Sequence, residues 1–324
     1  MADVQIDLSI IIINWNTRQL LLNCISSVYS TVHKATFEII VVDNGSTDRS
    51  VEAVSAAYPG AKVIANVSNL GFAKANNLAL RQMRGRYAVL LNSDTILKGG
   101  ALDLMYDFME RHPEAGMCGP QLLNKYGARE ASVGVFPTVL KEFGIKSFYR
   151  IFFPAVYKEH FKIRNSELKG PAVVDYIIGA CMMVRKGAID EVGMLDEDYF
   201  FCFEEIDWCL RMKTAGLPVF HLPDVEIYHF HGQSVKDINL KASAESWRSR
   251  YVYFLKNPSS FSQSSRAPLW MGFFLNVYRF SGYTLANIVT LFMIKSLRKR
   301  WILFTYLLVW HLRGRPVSMC IPRT

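Results

Sequence analysis

Three stretches of this sequence put carboxylates where they could handle a phosphorylated ligand. Asn92-Ser93-Asp94 follows the apolar run Arg86 to Leu91, so Asp94 stands at a strand end. Mg2+ or Mn2+ prefers one or two carboxylates plus diphosphate oxygens and water to a full protein cage. A single Asp94 therefore suffices if the substrate brings the phosphates; the competing role is a turn or helix cap. Asp43 closes the run Glu38-Ile39-Ile40-Val41-Val42. It can accept a hydrogen bond from the N3–H of uracil or thymine, or serve the turn that Asp43-Asn44-Gly45-Ser46 favours. Glu204, Glu205 and Asp207 lie among aromatics, where burial and like charge raise a carboxyl pKa and improve a base near neutral pH. Asp207 can instead pair with Arg211 one turn later, which leaves Glu204 and Glu205 as candidate bases. His229 and His231 share one side of an extended segment, and one imidazole could complete a metal site begun by Asp94.

These groups need a scaffold, and the hydrophobic pattern supplies one. Leu8 to Ile13 and Phe37 to Val42 are continuous β-branched runs, the mark of strands covered on both faces. Ala61 to Ala65 and Arg86 to Leu91 add two more strands. Helical patterns follow at Arg18 to Ser30, after Asp48 with Ser46 or Thr47 as N-cap, and at Gly71 to Met83. Strands alternating with helices imply a mostly parallel sheet with right-handed crossovers. In such a sheet ligands bind at the carboxyl ends of the strands, so Asn14, Asp43 and Asp94 should converge. Residues from about 120 to 175 read as less regular, with room for a mobile loop. Val173 to Val184 resumes a strand, broken at Gly179-Ala180, and a short strand near Pro218 to Leu222 precedes His229.

The composition narrows the partner. Lys and Arg total 37 against 28 Asp and Glu, a formal charge of +9 that favours an anionic ligand or surface. The bases cluster at Lys295, Arg298, Lys299, Arg300, Arg313 and Arg315, bracketing apolar stretches. That arrangement suits an anionic membrane rather than nucleic acid. The six cysteines show no zinc spacing and read as buried thiols in a reducing compartment. Acids near the N-terminus argue against a signal peptide, so the catalytic part is expected in the cytoplasm.

Taken in order, the motifs resemble the inverting family 2 glycosyltransferases, especially the branch with rhamnosyltransferases of cell-surface polysaccharide assembly. The matching stretches are Ser9 to Asn16, Val41 to Asp48, Asn69 to Ala73, Asn76-Asn77, Leu90 to Thr95, Gly179 to Arg185, Phe200 to Arg211 and His229 to Ser234. They cover roughly residues 8 to 235. The resemblance implies a GT-A-type, Rossmann-like α/β fold whose mostly parallel sheet is flanked by helices. It implies a nucleotide site drawing on Asn14, Asn16, Asp43, Asn69, Gly71, Asn76 and Ser93, with Asp43 on a pyrimidine. Asp94 then occupies the metal-binding position of an Asp-x-Asp motif whose first acid is Asn92 here, and His229 helps bind Mn2+ or Mg2+. The family's Glu-Asp pair appears as Glu204-Glu205, which puts Glu205 at the position of the base, one methylene longer than usual. The implied reaction moves a sugar, best read as rhamnose from dTDP-rhamnose, onto a polyprenyl-diphosphate-linked saccharide. A UDP-hexose or UDP-HexNAc donor is the alternative within the same fold.

Residues 1–240 are expected to form the catalytic domain and 241–324 a helical, aromatic and basic tail. Its runs Tyr283 to Ile294 and Trp301 to Leu312 are each 12 residues, short of the ~20 that cross a bilayer. They read as helices lying in the interface, attaching the protein peripherally to the inner face of the cell membrane. A soluble helical subdomain or dimer contact, and a spanning hairpin, are the other readings of the tail. For the whole chain, a nucleotidyltransferase would need a glycine- and basic-rich triphosphate loop near the first strand, which the sequence lacks. A non-catalytic scaffold would not need Asp43, Asp94, Glu205 and His229 together.

Overall fold

The computed structural model describes residues 5–138, 142, 154, 168–230, 240–257, 267–290 and 292–312. The described residues fall into two compact units. One is drawn from Met1–Phe136, His160–Phe200 and Glu204–Ser234, the other from Pro137–Glu159, Phe201–Phe203 and Val235–Thr324.

The first unit is built on a nine-stranded sheet. β1 (Leu8–Asn14) lies parallel to β2 (Phe37–Asp43) and to β4 (Tyr87–Asn92), and β2 lies parallel to β3 (Lys62–Ala65). Four strands thus end on one edge, with Asn14 beside Asp43 and Ile13 beside Asn92. The sheet then changes direction. β10 (Cys181–Arg185) runs antiparallel to β4 and to β6 (Met117–Leu123). β11 (Val219–His229) is parallel to β6 and antiparallel to β5 (Thr95–Leu97) and to β8 (Ala172–Val173). A separate small pair joins β7 (Val133–Gly134) to β9 (Tyr176–Ile177).

Side chains alternating along β1 feed both faces of the sheet. Leu8, Ile10 and Ile12 pack with Leu21, Cys24 and Ile25 of α1 (Arg18–Thr31) and with Leu102 and Met105 of α4 (Ala101–Arg111). Ile11 packs on the other face with Ala73, Ala75 and Ala79 of α3 (Phe72–Leu80) and Trp208 of α6 (Glu204–Thr214). Each fully buried Leu or Ile contributes about 1.5–3 kcal/mol, so the continuous apolar strand is explained by helices on both sides. α2 (Ser50–Ala57) and α5 (Lys186–Val192) complete this unit's helices among the described residues. Cys24, Cys118, Cys181 and Cys209 are buried and free. Burial pushes the thiols of Cys24 and Cys209 up to about 12, which makes them inert packing groups.

Several sequence expectations need correction. The residues read as irregular after 120 contain the end of β6, a strand inside the sheet. The short strand near Pro218 and the segment before His229 are one strand, β11, bent by an irregularity between Leu222 and Glu226. α2 starts at Ser50, with Arg49 as its N-cap at φ 61, and neither Ser46 nor Thr47 caps it. The region expected to hold a mobile loop lies largely outside the described residues, as do His231, Arg313 and Arg315.

The second unit contains α7 (Leu240–Lys256), α8 (Ala267–Val289) and α9 (Lys295–Leu312). The run Tyr283 to Ile294 is therefore not one helix, since α8 ends at Val289. Among the described residues no helix is long and apolar enough to cross a membrane.

Candidate active site

The carboxyl edge of β1, β2 and β4 carries a continuous chain of side-chain hydrogen bonds. The Asp43 carboxylate accepts from the Asn14 amide at 2.8 Å through Oδ1 and from the Ser46 backbone N–H at 2.8 Å through Oδ2. The Asn14 carbonyl oxygen accepts the Thr17 hydroxyl at 2.7 Å. Thr17 Oγ1 also lies 2.9 Å from Ser93 Oγ. A hydroxyl has one proton to give, so with Thr17 donating to Asn14, Ser93 donates to Thr17. Asn14, Thr17, Asp43 and Ser93 are all buried. These bonds tie the end of β2, across the end of β1, to Ser93 beside Asp94.

This arrangement also explains a missing helix cap. Thr17 is the N-cap of α1 but makes no side-chain cap bond, because its hydroxyl is committed to Asn14 and Ser93. Asp48 does the capping instead, accepting the Arg18 N–H at 2.8 Å. Partial burial pulls the Asp48 carboxyl upward, but hydrogen bonds from Ser50 and the Arg18 amide outweigh it and hold the group below the usual carboxylate range.

The neighbouring loops are shaped by the other expected nucleotide residues. Asn16, at φ 54, accepts the Thr47 N–H at 2.8 Å. Asn69 accepts the Gly71 N–H at 2.9 Å, and the Gly71 carbonyl accepts the Asn44 amide at 3.2 Å. Gly71 has φ +85, and a Cβ there would lie 2.5 Å from the Phe200 carbonyl oxygen. Only glycine fits both constraints. Asn76 sits within α3, its amide donating to Phe72 O of its own helix at 3.0 Å. Its neighbour Asn77 bonds both Leu195 O and Leu195 N, at 2.8 and 3.2 Å, and so clamps the loop ahead of α6 to α3. Thr17 and Asn77 were missed as site residues by sequence reasoning. For Thr17 the signal was its i+3 spacing from Asn14.

The β5–β11 pairing brings Asp94 and His229 together. His229 lies opposite Thr95, and the Phe230 N–H donates to Asp94 O at 2.8 Å. Asp94 Oδ1 and His229 Nε2 are 3.3 Å apart, both residues buried, with Asn92 Nδ2 at 3.5 Å from the same ring nitrogen. Two neighbouring ligands of an octahedral cation at ~2.1 Å stand about 3 Å apart. The pair therefore fits two adjacent positions of a small divalent ion. Among the described residues no group of three or more His, Cys, Asp and Glu could hold a metal, so further ligands would come from diphosphate oxygens and water.

α6 presents the acidic pair. Glu205 is half-buried, and its Cβ and Cγ lie 3.6 and 3.7 Å from where a Cβ on Gly179 would be. The adjacent Ala180 carbonyl accepts the Asn92 N–H at 2.9 Å, so Glu205 lies against the segment that abuts the end of β4. Glu204 is buried, and burial first, then the charge of Glu205, pushes its carboxyl well above the usual range. Asp207 pairs with Arg211 at 2.8 Å. Arg211 also donates to Val192 O and Met194 O, at 2.6 and 2.9 Å, so this pair anchors α6 to the preceding loop.

The family model of glycosyl transferase family 2 matches residues 9–193, more than half of the chain. The chain belongs to glycosyl transferase family 2. The match spans Asn14, Asp43 and Asp94 and ends before Glu204, Glu205 and His229. The chain is 27% identical over 247 residues to the N-acetylglucosaminyl-diphospho-decaprenol L-rhamnosyltransferase of Mycobacterium tuberculosis, covering 71% of this chain and 78% of that protein. It is 24% identical over 236 residues to the dTDP-rhamnosyl transferase RfbF of Shigella flexneri, covering 71% and 72%. Mannosyltransferase PcManGT from Pyrobaculum calidifontis, solved with GDP-Man and Mn2+, is similar in fold at a TM-score of 0.53 and 14% identity, covering 97% of this chain and 91% of that one. The chain is thus a glycosyltransferase of GT-A-type α/β fold that resembles the rhamnosyltransferase branch.

Proposed function

We propose that this glycosyltransferase moves rhamnose from dTDP-rhamnose to a polyprenyl-diphosphate-linked saccharide, with inversion, at the inner face of the cell membrane. The observation that carries the reading is the buried Asp94–His229 pair, 3.3 Å apart at the end of β4, with Glu205 packed against Gly179 beside the same strand end. The names of the Mycobacterium and Shigella relatives support the sugar, the nucleotide and the lipid-linked acceptor.

Each residue then has a task. Asp43 accepts the pyrimidine N3–H, a contact open to thymine and uracil alike. Asp94 and His229 would hold Mn2+ or Mg2+, which when bound supplies Lewis-acid neutralisation of the departing diphosphate. Glu205 takes the proton from the acceptor hydroxyl as that oxygen bonds to the anomeric carbon. The bond from that carbon to the diphosphate oxygen breaks on the opposite face, which inverts the configuration. Burial, and then the charge of Glu205, push the Glu204 carboxyl well above its usual range, which opposes a second charge beside the base.

The test is a transfer assay with a polyprenyl-diphosphate N-acetylglucosamine acceptor and four donors: dTDP-rhamnose, UDP-glucose, UDP-N-acetylglucosamine and GDP-mannose. The expected result is product from dTDP-rhamnose, dependent on Mn2+ or Mg2+ and lost in Glu205→Gln. Product from a UDP sugar alone would replace the donor, and full transfer by Glu205→Gln would remove the proposed base.

A further inference from the structure

In the second unit α8 carries much of its polarity inside out. α8 exposes Trp270, Phe274, Tyr278, Leu285 and Ile288, each more than half exposed. Their spacing of four, four, seven and three residues keeps them on one helical face. Val289, the last residue of the helix, and Met293 beyond it extend the exposed apolar surface, at 75% and 80% exposure. Two amides of the same helix face inward, while Ser281 is its exposed polar side chain beside the stripe. Asn276 and Asn287 are fully buried. Asn276 donates to the Tyr251 hydroxyl at 3.2 Å, and Asn287 donates to Tyr283 O and Leu297 O at 2.7 and 3.2 Å. His311 Nε2 meets the same Tyr251 hydroxyl at 2.9 Å, and Trp301 Nε1 donates to Thr284 at 3.0 Å. A helix facing water shows the reverse pattern, apolar inside and polar outside. Polar groups bonding between helices while apolar ones face outward is the habit of helices in contact with lipid.

Charge selects the lipid. No Asp or Glu follows Glu245, against twelve Lys and Arg over the same stretch. Lys295, Arg298 and Arg300 are exposed at the start of α9, next to exposed Phe292, Met293 and Ile294. A second copy of the chain would bring two such basic surfaces together, whereas a phosphate-bearing surface complements them.

We propose that the stripe Trp270, Phe274, Tyr278, Leu285, Ile288 on α8 is inserted into an anionic phospholipid leaflet, with the Lys295–Arg300 segment on its phosphates. This deepens the membrane-surface part of the function proposed above, naming α8 as the inserted helix. α9 contributes mainly bases, because Leu303, Phe304 and Leu307 are buried.

The experiment is flotation of the full chain at 0.15 M salt with two kinds of vesicle, pure phosphatidylcholine and a 7:3 mixture with phosphatidylglycerol. The chain is expected to float with the anionic vesicles only. Leu285→Glu with Ile288→Glu should lower the bound fraction roughly tenfold, and Lys295→Gln with Arg298→Gln should do so by a similar factor. Both pairs lie on the surface, so folding is checked by dTDP binding on the same samples. A gentler variant, Trp270→Phe, should float normally yet lose much of the fluorescence quenching by brominated lipid. Failure to float, or unchanged flotation of Leu285→Glu with Ile288→Glu, would overturn the inference. So would a dimer in sedimentation velocity that this double variant splits without any lipid binding. Intact dTDP binding without flotation would overturn the lipid stripe alone, and flotation without dTDP binding would overturn the dTDP-donor reading alone.

Discussion

Replacing Glu204 by Gln isolates the cost of burying a carboxyl group in α6. Glu204 is 5% exposed, and its Oε2 accepts no hydrogen bond among the described residues. Burial and the neighbouring Glu205 push its pKa well above the 4.5 of an unperturbed glutamate. Between pH 4.5 and that raised value the folded chain binds a proton that the unfolded chain has lost. Stability therefore falls as pH rises through the window, by 2.303RT or about 1.4 kcal/mol per pH unit. Gln has the shape of the protonated acid and no charge to suppress, so Glu204→Gln escapes the decline. Its stability relative to the parent should therefore grow as pH rises above 4.5 toward that raised value. Urea unfolding at pH 5.5, 6.5 and 7.5, with equal m-values for the two proteins, measures this directly. Parallel stability curves would show that Glu204 is ionised or paired in the fold, and the reasoning would fail. The same variant should keep most of its transfer activity, whereas Glu205→Gln should lose about 10²–10⁴-fold.

Other consequences follow from the site's supports. Thr17→Val leaves Asn14 Oδ1 and the Ser93 hydroxyl buried without their partner, so it should cost about 1–3 kcal/mol in thermal unfolding and weaken dTDP binding; Thr17→Ser should restore both. Asp48→Ala uncaps α1 and should cost about 1 kcal/mol at pH 7. Because the Asp48 carboxyl is held low, its stabilisation is present above 3.8 and lost as pH falls through the folded value. The parent and Asp48→Ala should therefore converge in stability as pH falls below 3.8 and through the lowered folded value. Gly71→Ala forces a Cβ into the Phe200 carbonyl at φ +85, and should lower stability by at least about 1–3 kcal/mol on a thermal melt.

What the sequence could reveal tracks the range of the forces involved. β1, β2 and β4 were legible because apolar runs ending in Asn14, Asp43 and Asn92 are local signals. β6 was hidden by Gly119 and Pro120, which read as loop chemistry. Its pairing with β10 stops at Cys118, so the missing N–H of Pro120 leaves no bond to β10 unmade. The irregularity in β11 made one strand look like two. Ser46 looked like a helix cap, but its hydroxyl is taken by Asn14 and the Asn16 N–H, 3.1 and 2.9 Å away. Contacts 76 residues apart, such as Thr17 with Ser93, leave no mark in local spacing. Residue chemistry offered His229 and His231 alike as partners of Asp94, and only the family resemblance singled out His229, since 135 positions of chain separate it from Asp94 (229 minus 94). The inside-out polarity of α8 needed exposures that composition does not contain.

The central claim is a metal-assisted pyrimidine diphosphate site at Asp43, Asp94 and His229. Calorimetric titration of the full chain with dTDP, UDP, GDP and ADP, with and without Mn2+, tests it most directly. The account predicts binding of dTDP that requires Mn2+, is lost in Asp94→Asn, and is strongly weakened in His229→Ala. A folded sample that bound no pyrimidine diphosphate, or whose Asp94→Asn variant bound dTDP with unchanged metal dependence, would contradict it.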